Sequence, residues 1–94
     1  MSISFDSHIS ASPDVIVRRV GEESVLLNLS TEQYLGLDDI STRFWQVLTG
    51  SGSIQNAYDT LLAEYAIDAD RLRQDLEDFV QELTQLGLVR HTGA

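Results

Sequence analysis

The chain has 94 residues, 43% of them apolar, and carries a net charge of −9 from 15 acidic and six basic side chains. That length suits one hydrophobic core and hence one domain, residues 1–94. The lack of cysteine excludes disulfides, thiol catalysis and Cys-type zinc sites; no apolar run reaches the ~20 residues of a membrane span, and the acidic balance argues against phosphate backbones as partners.

In chain order, residues 1–13 are Ser-rich, with Ile3, Phe5 and Ile9 on one parity, which predicts a short or frayed strand, or a tail, ended by Pro13. The start lacks the charged-then-apolar pattern of a signal peptide, so the expected location is the cytoplasm. Asp14 to Val20 carries β-branched Val15, Ile16 and Val17 and reads as a strand. Gly21-Glu22-Glu23 is a turn, and Ser24 to Leu29 is the paired strand, with Val25, Leu27 and Leu29 alternating with Leu26 and Asn28. Ser30-Thr31-Glu32 is a second turn. Tyr34-Leu35-Gly36-Leu37 is too short for a helix and reads as a third strand. A short terminal strand is often a sheet edge, which offers unpaired N–H and C=O groups to an extended peptide.

Three helices follow. Asp38 or Asp39 caps the first, about Ile40 to Thr49, with Ile40, Phe44, Val47 and Leu48 on its core face and Trp45 beside it. Gly50-Ser51-Gly52 ends it, and Ser53 caps the second, with Ile54, Ala57, Tyr58, Leu61, Leu62 and Tyr65 as its apolar positions. Asp68 caps the third, about Ala69 to Leu86, whose apolar side carries Leu72, Leu76, Phe79, Val80, Leu83 and Leu86. Gly87 falls where a left-handed cap is wanted, and Leu88 and Val89 pack back before a polar tail. A sheet followed by helices is an α+β layout.

The residues that carry chemistry are sparse. His8 and His91 sit near the termini without ligand spacing, and no phosphate-cradling Gly-Lys sequence occurs, so neither a metal nor another cofactor is implied. Nothing marks a nucleophile or an enclosed site, and the chain reads as a non-enzyme. Asp75, Asp78 and Glu82 follow one flank of the third helix at i, i+3, i+7. They form either a solvated face or a negative rail beside a peptide groove. Tyr34 is either a cross-strand aromatic or a groove wall. Gly36 either relieves crowding in its strand or admits another backbone.

Several of these pieces, taken together, resemble the PqqD-like family of RiPP recognition elements. They are Leu27 to Leu29, Tyr34-x-Gly36-Leu37-Asp38, Phe44-Trp45 shortly before Leu48, and Leu83-x-x-Leu86-Gly87-Leu88-Val89, across about residues 14–90. The resemblance is closer to the stand-alone leader-binding proteins of lasso-peptide pathways than to the protein of quinone-cofactor synthesis. It implies a winged-helix-like arrangement, with three helices against a three-stranded antiparallel sheet. It also implies a non-catalytic adaptor that binds the leader of a ribosomally made precursor by strand addition and presents it to a leader peptidase and a cyclase. The site it implies joins the edge, Gln33, Tyr34, Leu35, Gly36 and Leu37, to the third helix; helix geometry puts Leu72, Asp75, Leu76, Asp78, Phe79 and Glu82 forward there and leaves open which flank faces the groove. No nucleic acid and no membrane enters this reading. Three alternatives stand beside it: a chaperone that brings a precursor to a radical SAM enzyme, a DNA-binding winged helix, which the charge of −9 opposes, and a helical scaffold without peptide cargo.

Overall fold

The computed structural model describes residues 4–92, so Ile3 of the N-terminal parity lies outside the described residues. Four strands come first: β1 (His8–Ala11), β2 (Val15–Val20), β3 (Glu23–Asn28) and β4 (Tyr34–Leu37). Helices α1 (Asp39–Gly50), α2 (Ile54–Glu64) and α3 (Ala69–Gln85) follow, and β5 (Val89–Thr92) closes the chain. Strands β2, β3 and β4 form an antiparallel meander in that spatial order, the expected three-stranded sheet before three helices.

The strand period decides which side chains meet the helices. Ser24, Leu26 and Asn28 of β3 are buried, and Leu26 faces Leu35 while Ser24 faces Leu37. The other parity looks outward: Val25 pairs with Gly36 and Leu27 with Tyr34 on the face remote from the helices. Two buried polar residues of the inner face are satisfied across elements. Ser24 and Thr42 of α1 share a 2.8 Å hydrogen bond, and Asn28 Nδ2 donates to the carbonyls of Leu86 and Gly87 after α3. These bonds dock α1 and the end of α3 on one strand.

The helix caps fall where the short polar side chains predict. Asp38, Ser53 and Asp68 accept from the backbone N–H of Ser41, Asn56 and Arg71 at 2.8, 3.1 and 3.1 Å. The α2 N-terminus has a further device. The N–H groups of Ile54 and Gln55, free of intrahelical partners, donate to the carbonyls of Ser7 and Phe5. The Phe5 ring is thereby held in the core, edge-on to Tyr58 and under the Arg73 guanidinium at 4.0 Å.

Two expectations are corrected. The C-terminal segment is a strand rather than a polar tail: β5 pairs antiparallel with β1, Ile9 opposite His91 and Ala11 opposite Val89. Each strand has four residues and its partner is some eighty positions away, so the pairing is set by tertiary contacts: Ile9, Leu88 and Val89 are buried, and Ser12 N–H donates to the Leu88 carbonyl. Ile40 is not a core residue. It lies in the first turn of α1, where the apolar stripe overhangs the core, and remains 51% exposed.

Candidate functional site: an open sheet edge beside an apolar and acidic groove

Hydrogen-bond alternation identifies the free backbone groups of β4. Asn28 N–H donates to the Gln33 carbonyl at 2.8 Å. In an antiparallel ladder the bonded pairs then recur every second residue, at Leu26–Leu35 and Ser24–Leu37. Tyr34 and Gly36 occupy the intervening positions. Their N–H and C=O groups point away from β3, and β4 ends the sheet on that side. The turn that delivers the chain to this edge bends through Glu32 at φ 62°, a left-handed position usually given to glycine, with Glu32 N–H on the Asn28 carbonyl.

Strand β4 leads through Asp38 directly into α1, and a groove opens where α1 meets α3. Ile40, Ser41 and Phe44 from α1 and Asp75, Asp78, Phe79 and Glu82 from α3 line a hollow of about 410 Å³. Phe44 and Phe79 form its floor, ring centroids 6.0 Å apart and edge-to-face. A second hollow of about 330 Å³ shares Ile40, Phe44 and Asp75 and continues to Tyr65 and Ile67. The α3 periodicity explains the lining. Leu72, Leu76, Val80 and Leu83 turn fully into the core, and the neighbouring stripe of Asp75, Asp78, Phe79 and Glu82 is left facing the groove.

The acidic lip is only lightly engaged. Arg71 Nε lies 3.7 Å from Asp75, and Gln74 donates to Asp78 at 2.9 Å. The other ion pair among the described residues does not line the hollow. In it Arg43 grips Glu64 with two hydrogen bonds of 2.9 and 2.7 Å, tying α1 to the end of α2. That bidentate contact holds the Glu64 carboxyl below the usual carboxylate range and raises the Arg43 guanidinium above its own. Among the described residues, no group of three or more His, Cys, Asp or Glu is placed to hold a metal. Among them also, no helix is long and apolar enough to cross a membrane.

The structure brings part of the expected peptide site together. Asp75, Asp78, Phe79 and Glu82 line one hollow. Gln33, Tyr34 and Gly36 are exposed along the edge, Leu35 is half-buried, and Leu37 is buried against the helices. Tyr34, 72% exposed, takes the cross-strand position opposite Leu27 on the outer sheet face and does not line the hollow between α1 and α3. Leu72 and Leu76 are fully enclosed and present no surface to a ligand. The sequence-based site omitted Ile40, Ser41 and Phe44 of the hollow, with Phe44 read only as core. The signal for Ile40 and Ser41 was position alone: they follow the cap that joins the edge strand to α1.

An open antiparallel edge backed by three helices, with a groove beside it, defines a winged-helix-like α+β domain. The chain belongs to the PqqD family: the model of coenzyme PQQ synthesis protein D matches residues 23–89. It is similar to the solved structure of TbiB1 in complex with the TbiA(beta) leader peptide, with 30% identity, a TM-score of 0.81 and coverage of 90% of this chain and 99% of that one. It also shares the fold of a lasso peptide synthetase B1 complexed with the leader peptide, at 22% identity, TM-score 0.77 and coverage of 88% and 98%. No curated protein sequence matches the chain.

Proposed function

We propose that this chain, as one domain over residues 1–94, is a non-catalytic cytoplasmic adaptor for the leader segment of a ribosomally synthesised precursor peptide. The leader adds a strand to β4 and lays alternate side chains into the groove between α1 and α3. The adaptor then presents the rest of the precursor to modifying enzymes, a leader peptidase and a cyclase in a lasso-peptide pathway. The observation that carries this reading is the adjacency of two features: free N–H and C=O groups at Tyr34 and Gly36, and the hollow over Phe44 and Phe79. The similarity to TbiB1, solved with a leader peptide, supports it.

The division of labour follows from strand geometry. Main-chain bonds to Tyr34 and Gly36 set the register, each worth about 0.5–1.5 kcal/mol net. Leader residues opposite those two face outward, beside the Tyr34 ring. The residues between them, opposite Leu35 and Leu37, face the helices, where Ile40, Phe44 and Phe79 give apolar purchase. Leu72 and Leu76 support the groove from beneath. Leaders encoded by short reading frames beside the gene are the test, with backbone N-methylation at alternate positions. Methylation at the positions opposite Tyr34 and Gly36 should abolish binding, and methylation one residue along should be tolerated. Equal binding by both series rules out strand addition.

A further inference from the structure

We infer that the groove selects a leader carrying a basic side chain, Arg or Lys, two residues along the strand from its apolar anchor. This rests on the strand-addition reading above and adds the chemistry of the occupant. A strand added to β4 turns every second side chain toward α3, so successive inward residues are about 6.8 Å apart. Along α3, Asp75 to Glu82 covers seven residues, about 10.5 Å of helix. The aromatic floor lies between them, with Phe79 beside Asp78. An inward apolar side chain seated on Phe44 and Phe79 therefore places the next inward residue against the carboxylates of the lip.

Of the three carboxylates, Asp75 alone has a cation in reach among the described residues, Arg71 at 3.7 Å. The two ion pairs among the described residues are Arg43–Glu64 and Arg71–Asp75, the second at 3.7 Å between well-exposed side chains, and neither involves Asp78 or Glu82. Asp78 accepts from the neutral Gln74 amide. Three carboxylates along an open groove of a chain with charge −9 favour a cationic occupant and repel an acidic one. The fold does not need this arrangement, since all three side chains are exposed.

The experiment selects binders from a randomised twelve-residue peptide display library on the immobilised full chain. The selection runs in parallel on a triple variant, Asp75→Asn, Asp78→Asn, Glu82→Gln, checked for an unchanged melting temperature. The expected pool on the parent is enriched in an apolar residue with Arg or Lys two positions away. Replacing that Arg with Gln should weaken binding roughly fivefold at low salt, a loss that shrinks at 0.5 M salt and on the triple variant. A pool sensitive to backbone N-methylation but without basic preference, or one that binds parent and triple variant alike, overturns this inference and leaves the adaptor reading standing. A pool insensitive to N-methylation, or no enrichment at all, overturns both.

Discussion

Asn28 Nδ2 donates to the Gly87 carbonyl at 2.9 Å, joining the last residue of β3 to the left-handed glycine that ends α3. The same side chain accepts from Ser30 N–H at 2.9 Å through Oδ1. One buried amide thus fixes both the turn into the edge strand and the distance of α3 from the sheet. Asn28→Ala leaves the Gly87 carbonyl and the Ser30 amide without this partner, and should cost about 1–3 kcal/mol in chemical denaturation. Gly87→Ala should also destabilise, because its φ is 68° and an added Cβ would stand 3.0 Å from Asn28 Nδ2. Unchanged denaturation midpoints for both would show that this junction does not hold α3.

The meander, the three helices and their caps were legible because local physics decides them. Asp38, Ser53 and Asp68 each precede a periodic apolar run, and the Tyr34–Leu37 strand sits between a turn and a cap. The pairing of β1 with β5 was not legible. Four-residue strands give two inward positions each, too little period to distinguish them from a tail. The role of Asn28 was hidden because nothing local distinguishes an inward Asn at a strand end from an outward one. The site was half legible. The sequence places Asp75, Asp78 and Glu82 on one flank, but helical spacing alone groups Phe79, which lines the hollow, with Leu72 and Leu76, which the core encloses.

Edge and ladder positions should respond oppositely to proline. Gly36 N–H points out of the sheet, and an added Cβ there meets nothing within 4 Å. Gly36→Pro should keep the fold and weaken leader binding up to roughly tenfold, since proline removes one outward donor. Leu35→Pro removes a bond to Leu26 inside the ladder together with a half-buried side chain, and should lower the melting temperature severely. Circular dichroism melts and peptide titrations on the two variants check this. Undiminished binding by a folded Gly36→Pro protein would argue against use of that edge.

Leu72 and Leu76 are enclosed by the core. Each is fully buried, so Leu72→Ala or Leu76→Ala should cost about 2–5 kcal/mol of stability. Leader affinity measured well below the lowered melting temperature should stay near the parent value. An affinity loss larger than the unfolded fraction explains would place these leucines in contact with peptide.

The Arg43–Glu64 pair predicts a pH signature from residues that line neither hollow. Its hydrogen bonds hold the folded Glu64 carboxyl below the usual range. The stabilisation is therefore present above the unfolded pKa and is lost as pH falls through the folded one. NMR titration should place Glu64 below the ordinary glutamate range, and Arg43→Gln should return it there. Leader binding at neutral pH should not change with that substitution, because neither residue lines the hollow over Phe44 and Phe79.

Ile40 offers the cleanest separation of binding from folding in the groove. Phe44 is buried, so Phe44→Ala should cost about 3–5 kcal/mol, and any binding defect would be mixed with unfolding. Ile40 lines both hollows yet is 51% exposed, held by the first turn of α1 rather than by the core. Ile40→Ala should change stability by about 0.5 kcal/mol, as surface substitutions do. In the proposed complex the leader covers this side chain, so the same truncation should weaken binding roughly tenfold, about 1.4 kcal/mol. Calorimetric titration of the variant, with its melt run beside it, reads the two numbers independently. Parent-like affinity at Ile40→Ala would move the leader off the helix-side groove and leave β4 alone as the candidate contact.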